Sequence, residues 1–173
     1  MVDLKALHPE LQDMTRRLMV KCERHPDLGG AGLTVVITEG KRDNLVQARY
    51  FCQGRTVSEI AAELDARQSE QRTREMLQQA IRGIYPPEAT PEWRAPGRII
   101  TNALPYSGPH CLGVAVHFGI KRGARMLYPD APWEIVGRIA KDLLFIWGGN
   151  WKMRDLAHLE MYKPWTVNQQ VAA

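Results

Sequence analysis

Ser107-Gly-Pro-His110-Cys-Leu-Gly113-Val-Ala115-Val-His117 is the stretch on which the reading of the fold turns. Its first half, with Gly108 and Pro109, is turn-forming. Its second half leads into Val114 to Phe118, an apolar run that reads as a strand. His110 and His117 are seven residues apart, which is not the spacing of a helical i, i+4 pair. It suits one ligand on a loop and a second on the strand which that loop feeds. Further along, Asp155-Leu-Ala-His158-Leu-Glu160 sets a carboxylate three residues before another histidine. Zinc in a catalytic site takes three protein ligands and keeps a fourth position for water. A nearby carboxylate can then move that water's proton. Each histidine taken alone also reads as a satisfied core or surface side chain, so spacing leaves both readings open.

Outward from this stretch, helices and strands are mixed. Leu4, Leu7, Leu11, Met14 and Leu18 form one apolar stripe of helical period, which predicts a helix ending before His25-Pro26. Leu33 to Thr38 reads as a buried strand, and Asp43 to Gln53 as a helix capped by Gly54. Residues 57–84 look helical, with Thr56 and Glu59 at capping-box spacing. Four prolines make 85–97 irregular, and Arg98–Asn102 is expected to be a strand. Asp130 is expected to cap a helix that starts at Pro132 and carries Ile135, Val136, Ile139, Leu143 and Leu144. A Gly148-Gly149 turn then leads to a last strand near His158. Without strict alternation of strand and helix, the order favours an α+β fold.

Composition excludes several classes. The 173 residues are 45% hydrophobic and 24% charged, which is ordinary for a globule and not for a disordered chain. No apolar run approaches the length of a membrane span, and the N-terminal residues lack the apolar core of a secretory signal. Three cysteines, Cys22, Cys52 and Cys111, argue against a disulfide framework. The net charge of +4 is scattered rather than striped, unlike a nucleic-acid binder. It would suit a polyanion such as a bacterial cell wall, or simply a solvated surface.

Residues 107–117 resemble the signature S-x-H-x-x-G-x-A-x-D of the zinc D-Ala-D-Ala carboxypeptidase and L-alanyl-D-glutamate endopeptidase family. Asp155 to Glu160 resembles that family's second signature, D/E-x-x-H with a following acid. The segment from Glu134 to Glu160, with its Trp147-Gly-Gly-Asn-Trp151 turn, is similar to the phage endolysin branch. So is Thr38 to Thr56, which resembles the branch's S-G-x-R segment, its helix with an inward glutamine and its Gly-Arg-Thr turn. The resemblance implies a hedgehog/D-Ala-D-Ala peptidase-like fold, a small antiparallel sheet flanked by helices. It implies Zn2+ held by His110, His117 and His158, and Asp155 as the base that takes a proton from the attacking water and returns it to the leaving amine. Arg42 matches the arginine that stabilises the oxyanion or orients substrate. Ser107, Gln47 and Trp147 fall at substrate-side positions. The implied partner is peptidoglycan, cut between L-Ala and D-Glu by a monomer that binds neither nucleic acid nor membrane. The implied location is the host bacterial cytoplasm, with release to the periplasm through a separate pore protein.

Two features depart from the family pattern. Position 117 holds His where the signature has Asp, which leaves the metal site one unit more positive, and a three-His site is known chemistry. Cys111 reads as a buried thiol, because neighbours on extended backbone point opposite ways. Val57 to Arg94 is an insertion within a single 1–173 domain, read either as a packed helical decoration or as an arm that meets the wall. A D-Ala-D-Ala carboxypeptidase of the same fold and a non-catalytic wall-binding module are the alternative functions.

Overall fold

The structure is a computed structural model, and it describes residues 2–128 and 130–162. The fold is α+β with a five-stranded antiparallel sheet, as expected. The chain divides into two compact units, residues 1–41 with 113–173, and residues 42–112.

The first unit carries the sheet. Helix α1 (Pro9–Arg24) starts with proline at its first turn, where the missing N–H costs nothing, and ends at His25 before Pro26. Leu11, Leu18 and Cys22 bury its apolar stripe. Strand β1 (Leu33–Glu39) pairs with β2 (Ala115–Arg122), which is longer than the apolar run alone suggests. A short β3 (Arg125–Met126) folds back on β2. Helix α5 (Trp133–Asp142) has Pro132 at its N-cap and no side-chain cap, so Asp130 does not cap it. Strand β4 (Phe145–Trp147) leads into the glycine turn, and β5 (His158–Met161) lies between β2 and β4. Phe118, Ile120, Val136 and Leu159 fill the core. Each large aliphatic or aromatic side chain buried there contributes roughly 1.5–3 kcal/mol.

The second unit is helical. Asp43 caps α2 (Asn44–Cys52) by accepting from the backbone N–H groups of Leu45 and Val46. Gly54, at φ +71, supplies the left-handed residue after its end. Thr56 and Glu59 form the expected capping box at the start of α3 (Val57–Ala66). The helical stretch then breaks, with Gln68 at φ 48, before α4 (Gln71–Ile84). Ile60, Leu64, Leu77 and Ala80 share one core with Ala48, Phe51 and Cys52 of α2. Arg94 ties the end of this stretch back to its start by pairing with Glu59 and the Gly54 carbonyl. The stretch Val57 to Arg94 is therefore packed and tied at both ends within its unit. Arg98–Asn102 is not a strand. Ile99 and Ile100 are exposed and have no ladder partner.

Candidate active site

Sheet register builds the site. In an antiparallel pair, residues directly opposite each other put their side chains on the same face. His117 on β2 stands opposite His158 on β5 and opposite Glu39 on β1. Glu39, His117 and His158 thus form one row across three adjacent strands. His117 Nε2 and His158 Nδ1 are 3.2 Å apart. His117 Nδ1 faces Glu39 Oε2 at 3.0 Å, and His158 Nε2 faces Glu160 Oε2 at 3.2 Å. With a carboxylate accepting at the outer nitrogen of each ring, the tautomers are assigned: His117 presents Nε2 and His158 presents Nδ1 to the same point.

The turn after β4 brings in Asp155, whose Oδ2 lies 3.4 Å from His117 Nε2. The Asp155 backbone N–H donates to the Gly148 carbonyl, and the His158 N–H donates to the Asp155 carbonyl. A Cβ on Gly148 would sit 2.5 Å from the Asp155 carbonyl oxygen, so glycine is required there. Trp147 is 2% exposed, and its indole N–H donates to the Leu156 carbonyl at 2.9 Å. Gly137 and Gly149 leave the room its ring fills. Trp147, read from sequence as a substrate-side residue, is thus packed as a buried prop for the turn. Trp151, at the other end of the same motif, is exposed, and its ring packs 4.7 Å from that of His158.

Electrostatics follow from these contacts. Burial pushes the His117 imidazolium towards deprotonation. Its bonds to Asp155 and Glu39 outweigh that and raise its pKa to about 9 in the metal-free protein. Burial likewise works against the Asp155 carboxylate. His117, His158 and the Ala157 backbone hold it below the usual carboxylate range.

In the second unit, the turn that carries Ser107 and His110 is pinned to the start of α2, because the Tyr106 N–H donates to Asn44 Oδ1. His110 is buried, and its carbonyl accepts from the Arg42 N–H at 3.1 Å. The Arg42 guanidinium donates to Gln47 Oε1 at 2.6 Å and lies over the Tyr50 ring. Gln47 is 1% exposed and donates its amide N–H to the Ala103 carbonyl. Both ends of its amide are engaged inside the unit, with Arg42 and with Ala103. Ser107 is exposed, and its hydroxyl donates to the Leu104 carbonyl. Cys111 is buried and is not in a disulfide, as expected.

His110, His117 and His158 each offer one ring nitrogen of the kind that holds a metal ion. The donor set fits zinc. Imidazole nitrogens bind it at about 2.0–2.1 Å, which puts two ligands of one tetrahedral ion roughly 3.4 Å apart. The 3.2 Å between His117 and His158 is close to that value. Sequence reasoning passed over Glu39, whose only signal was an acid at a strand end, and gave Glu160 no part beyond its place in the motif.

Imidazoles facing one another beside an ionised carboxylate are the groups from which metal-dependent hydrolases build their centres. Residues 102–161, which hold all three histidines and Asp155, match the family described as D-alanyl-D-alanine carboxypeptidase. The chain is also similar to a solved structure, the L-Ala D-Glu endopeptidase ChiX of Serratia marcescens. The TM-score is 0.48 and the identity 14%, over 92% of this chain and 83% of that one. No curated protein matches the sequence. Among the described residues, no helix is long and apolar enough to cross a membrane.

Proposed function

We propose that the protein is a zinc-dependent peptidoglycan endopeptidase that hydrolyses the L-Ala–D-Glu bond of stem peptides. The observation that carries this is the convergence of His117 Nε2, His158 Nδ1 and Asp155 Oδ2 on one point, inside a segment that matches the family described as D-alanyl-D-alanine carboxypeptidase. His110, His117 and His158 would hold the ion. Zinc when bound acts as a Lewis acid towards water and the scissile carbonyl. Asp155, kept ionised by its neighbours, accepts a proton from the attacking water and returns it to the departing amine. Arg42, held by Gln47 and Tyr50, offers a fixed fork of donors to the developing oxyanion or to a substrate carboxylate.

The choice of bond rests on the resemblance of the Gly54-Arg-Thr56 and Trp147 to Trp151 segments to phage endolysins. The same resemblance supports a role in host lysis, with the monomeric enzyme made in the bacterial cytoplasm and acting on periplasmic wall. The family's description supports a second reading, removal of terminal D-Ala. Mass spectrometry of digested Gram-negative peptidoglycan separates them. New fragments ending in L-Ala and beginning with D-Glu, lost on chelation, are expected. Release of D-Ala alone would transfer the assignment to a carboxypeptidase. An intact wall after exposure to folded, zinc-supplied protein would leave a binding module.

A further inference from the structure

We infer that Glu39 is the positioning residue that makes His117 a competent metal ligand, supplying from β1 the negative charge that the family signature places at position 117 itself. The inference rests on the zinc reading above. Two departures from the motifs meet in it. Glu39 takes the first place of the S-G-x-R pattern, where the pattern has serine. His117 takes the last place of S-x-H-x-x-G-x-A-x-D, where the pattern has aspartate. An Asp ligand beside a serine carries one negative charge. A neutral His beside a glutamate carries the same total, moved outward by the width of an imidazole ring.

The backbone makes this pairing specific. The β1–β2 register runs without interruption from Leu33↔Arg122 to Ile37↔Phe118, then shifts. A regular continuation would set Thr38 opposite His117, but the bulge sets Glu39 there. Bulges of this kind re-aim a side chain, and they are frequent next to active sites. The result is the 3.0 Å contact between Glu39 Oε2 and His117 Nδ1. That contact occupies the outer nitrogen, fixes the ring's rotation and leaves the Nε2 lone pair on the side of His158 and Asp155. A carboxylate at this place also raises the basicity of the ligating nitrogen.

The test compares wild type, Glu39→Gln, Glu39→Ser and the double variant Glu39→Ser/His117→Asp. Zinc affinity is measured by competition with a chromophoric chelator at fixed pH, and circular dichroism confirms that each variant is folded. Wild type is expected to bind one zinc. Glu39→Gln and Glu39→Ser should bind it roughly 10–100-fold more weakly. The double variant should recover most of the affinity that Glu39→Ser loses, a rescue that a merely structural role for Glu39 would not give. Unchanged affinity in both single variants, with wild type binding zinc, would overturn this inference and leave the zinc reading intact. A folded wild type that binds no zinc would overturn both.

Discussion

His117 Nε2 lies 3.4 Å from Asp155 Oδ2, so in the metal-free protein the residue assigned as ligand and the residue assigned as base form an ion pair with each other. Metal and proton therefore compete for the same ring nitrogen. The pKa of His117 stands at about 9 against an ordinary 6.5. Zinc uptake below pH 9 must displace a proton, and the apparent affinity should rise with pH by up to about tenfold per pH unit before levelling. Calorimetry in buffers of different ionisation enthalpy reads the released proton directly. Uptake without proton release at pH 7 would contradict the pairing.

The same shift fixes the pH dependence of the metal-free fold. A group whose folded pKa is raised contributes stability that is fully present below its unfolded pKa and is lost as pH climbs through the folded value. For His117 that window runs from 6.5 to about 9. Melting of the chelator-treated protein should fall by several degrees across it. In His117→Ala the fall should be much smaller.

Asp155 and the histidines should be separable by mutation. Asp155→Asn keeps the shape of the side chain and removes the base. It should retain zinc while hydrolysis drops roughly 10²–10⁴-fold. His117→Ala should instead lower bound zinc. Metal analysis of the two purified proteins, alongside wall digestion, distinguishes the roles.

The glycine turn is the mechanical support of the site. Gly148→Ala drives a methyl group into the Asp155 carbonyl and the His158 Cβ. Activity should fall more steeply than stability, because the strain falls on the loop that carries the base. Gly137→Ala presses on the buried Trp147 ring and should cost about 1–3 kcal/mol of stability. Chemical denaturation and wall digestion of both variants give the comparison.

Residues 57–94 contribute to the core of their unit. Leu77 on α4 is fully buried against α2. Leu77→Ala should destabilise by roughly 2–5 kcal/mol, the usual range for a large-to-small core change. A loss below 1 kcal/mol would mean that α4 is only loosely held.

Periodicity made α1 and β1 legible, since Leu11 and Leu18 repeat on a helical face and Leu33 and Val35 alternate towards the core. The same logic misread Arg98–Asn102. Ile99 and Ile100 look like a strand locally, but a strand needs a partner, and pairing is not written in a five-residue window. Gln68 breaks α3 from α4 in a positive-φ conformation that its neighbours do not announce. His158 and Asp155 were readable because a turn and a strand hold them within three residues. Glu39 was not readable. Its meeting with His117 depends on strand register and one bulge, and a shift of one residue would turn it to the other face.

X-ray absorption at the zinc edge of the loaded protein tests the centre most directly. Three imidazoles with nitrogen at about 2.0–2.1 Å, one further light scatterer and no sulfur are expected. Two imidazoles only, or a sulfur at about 2.3 Å from Cys111, would contradict the three-histidine site.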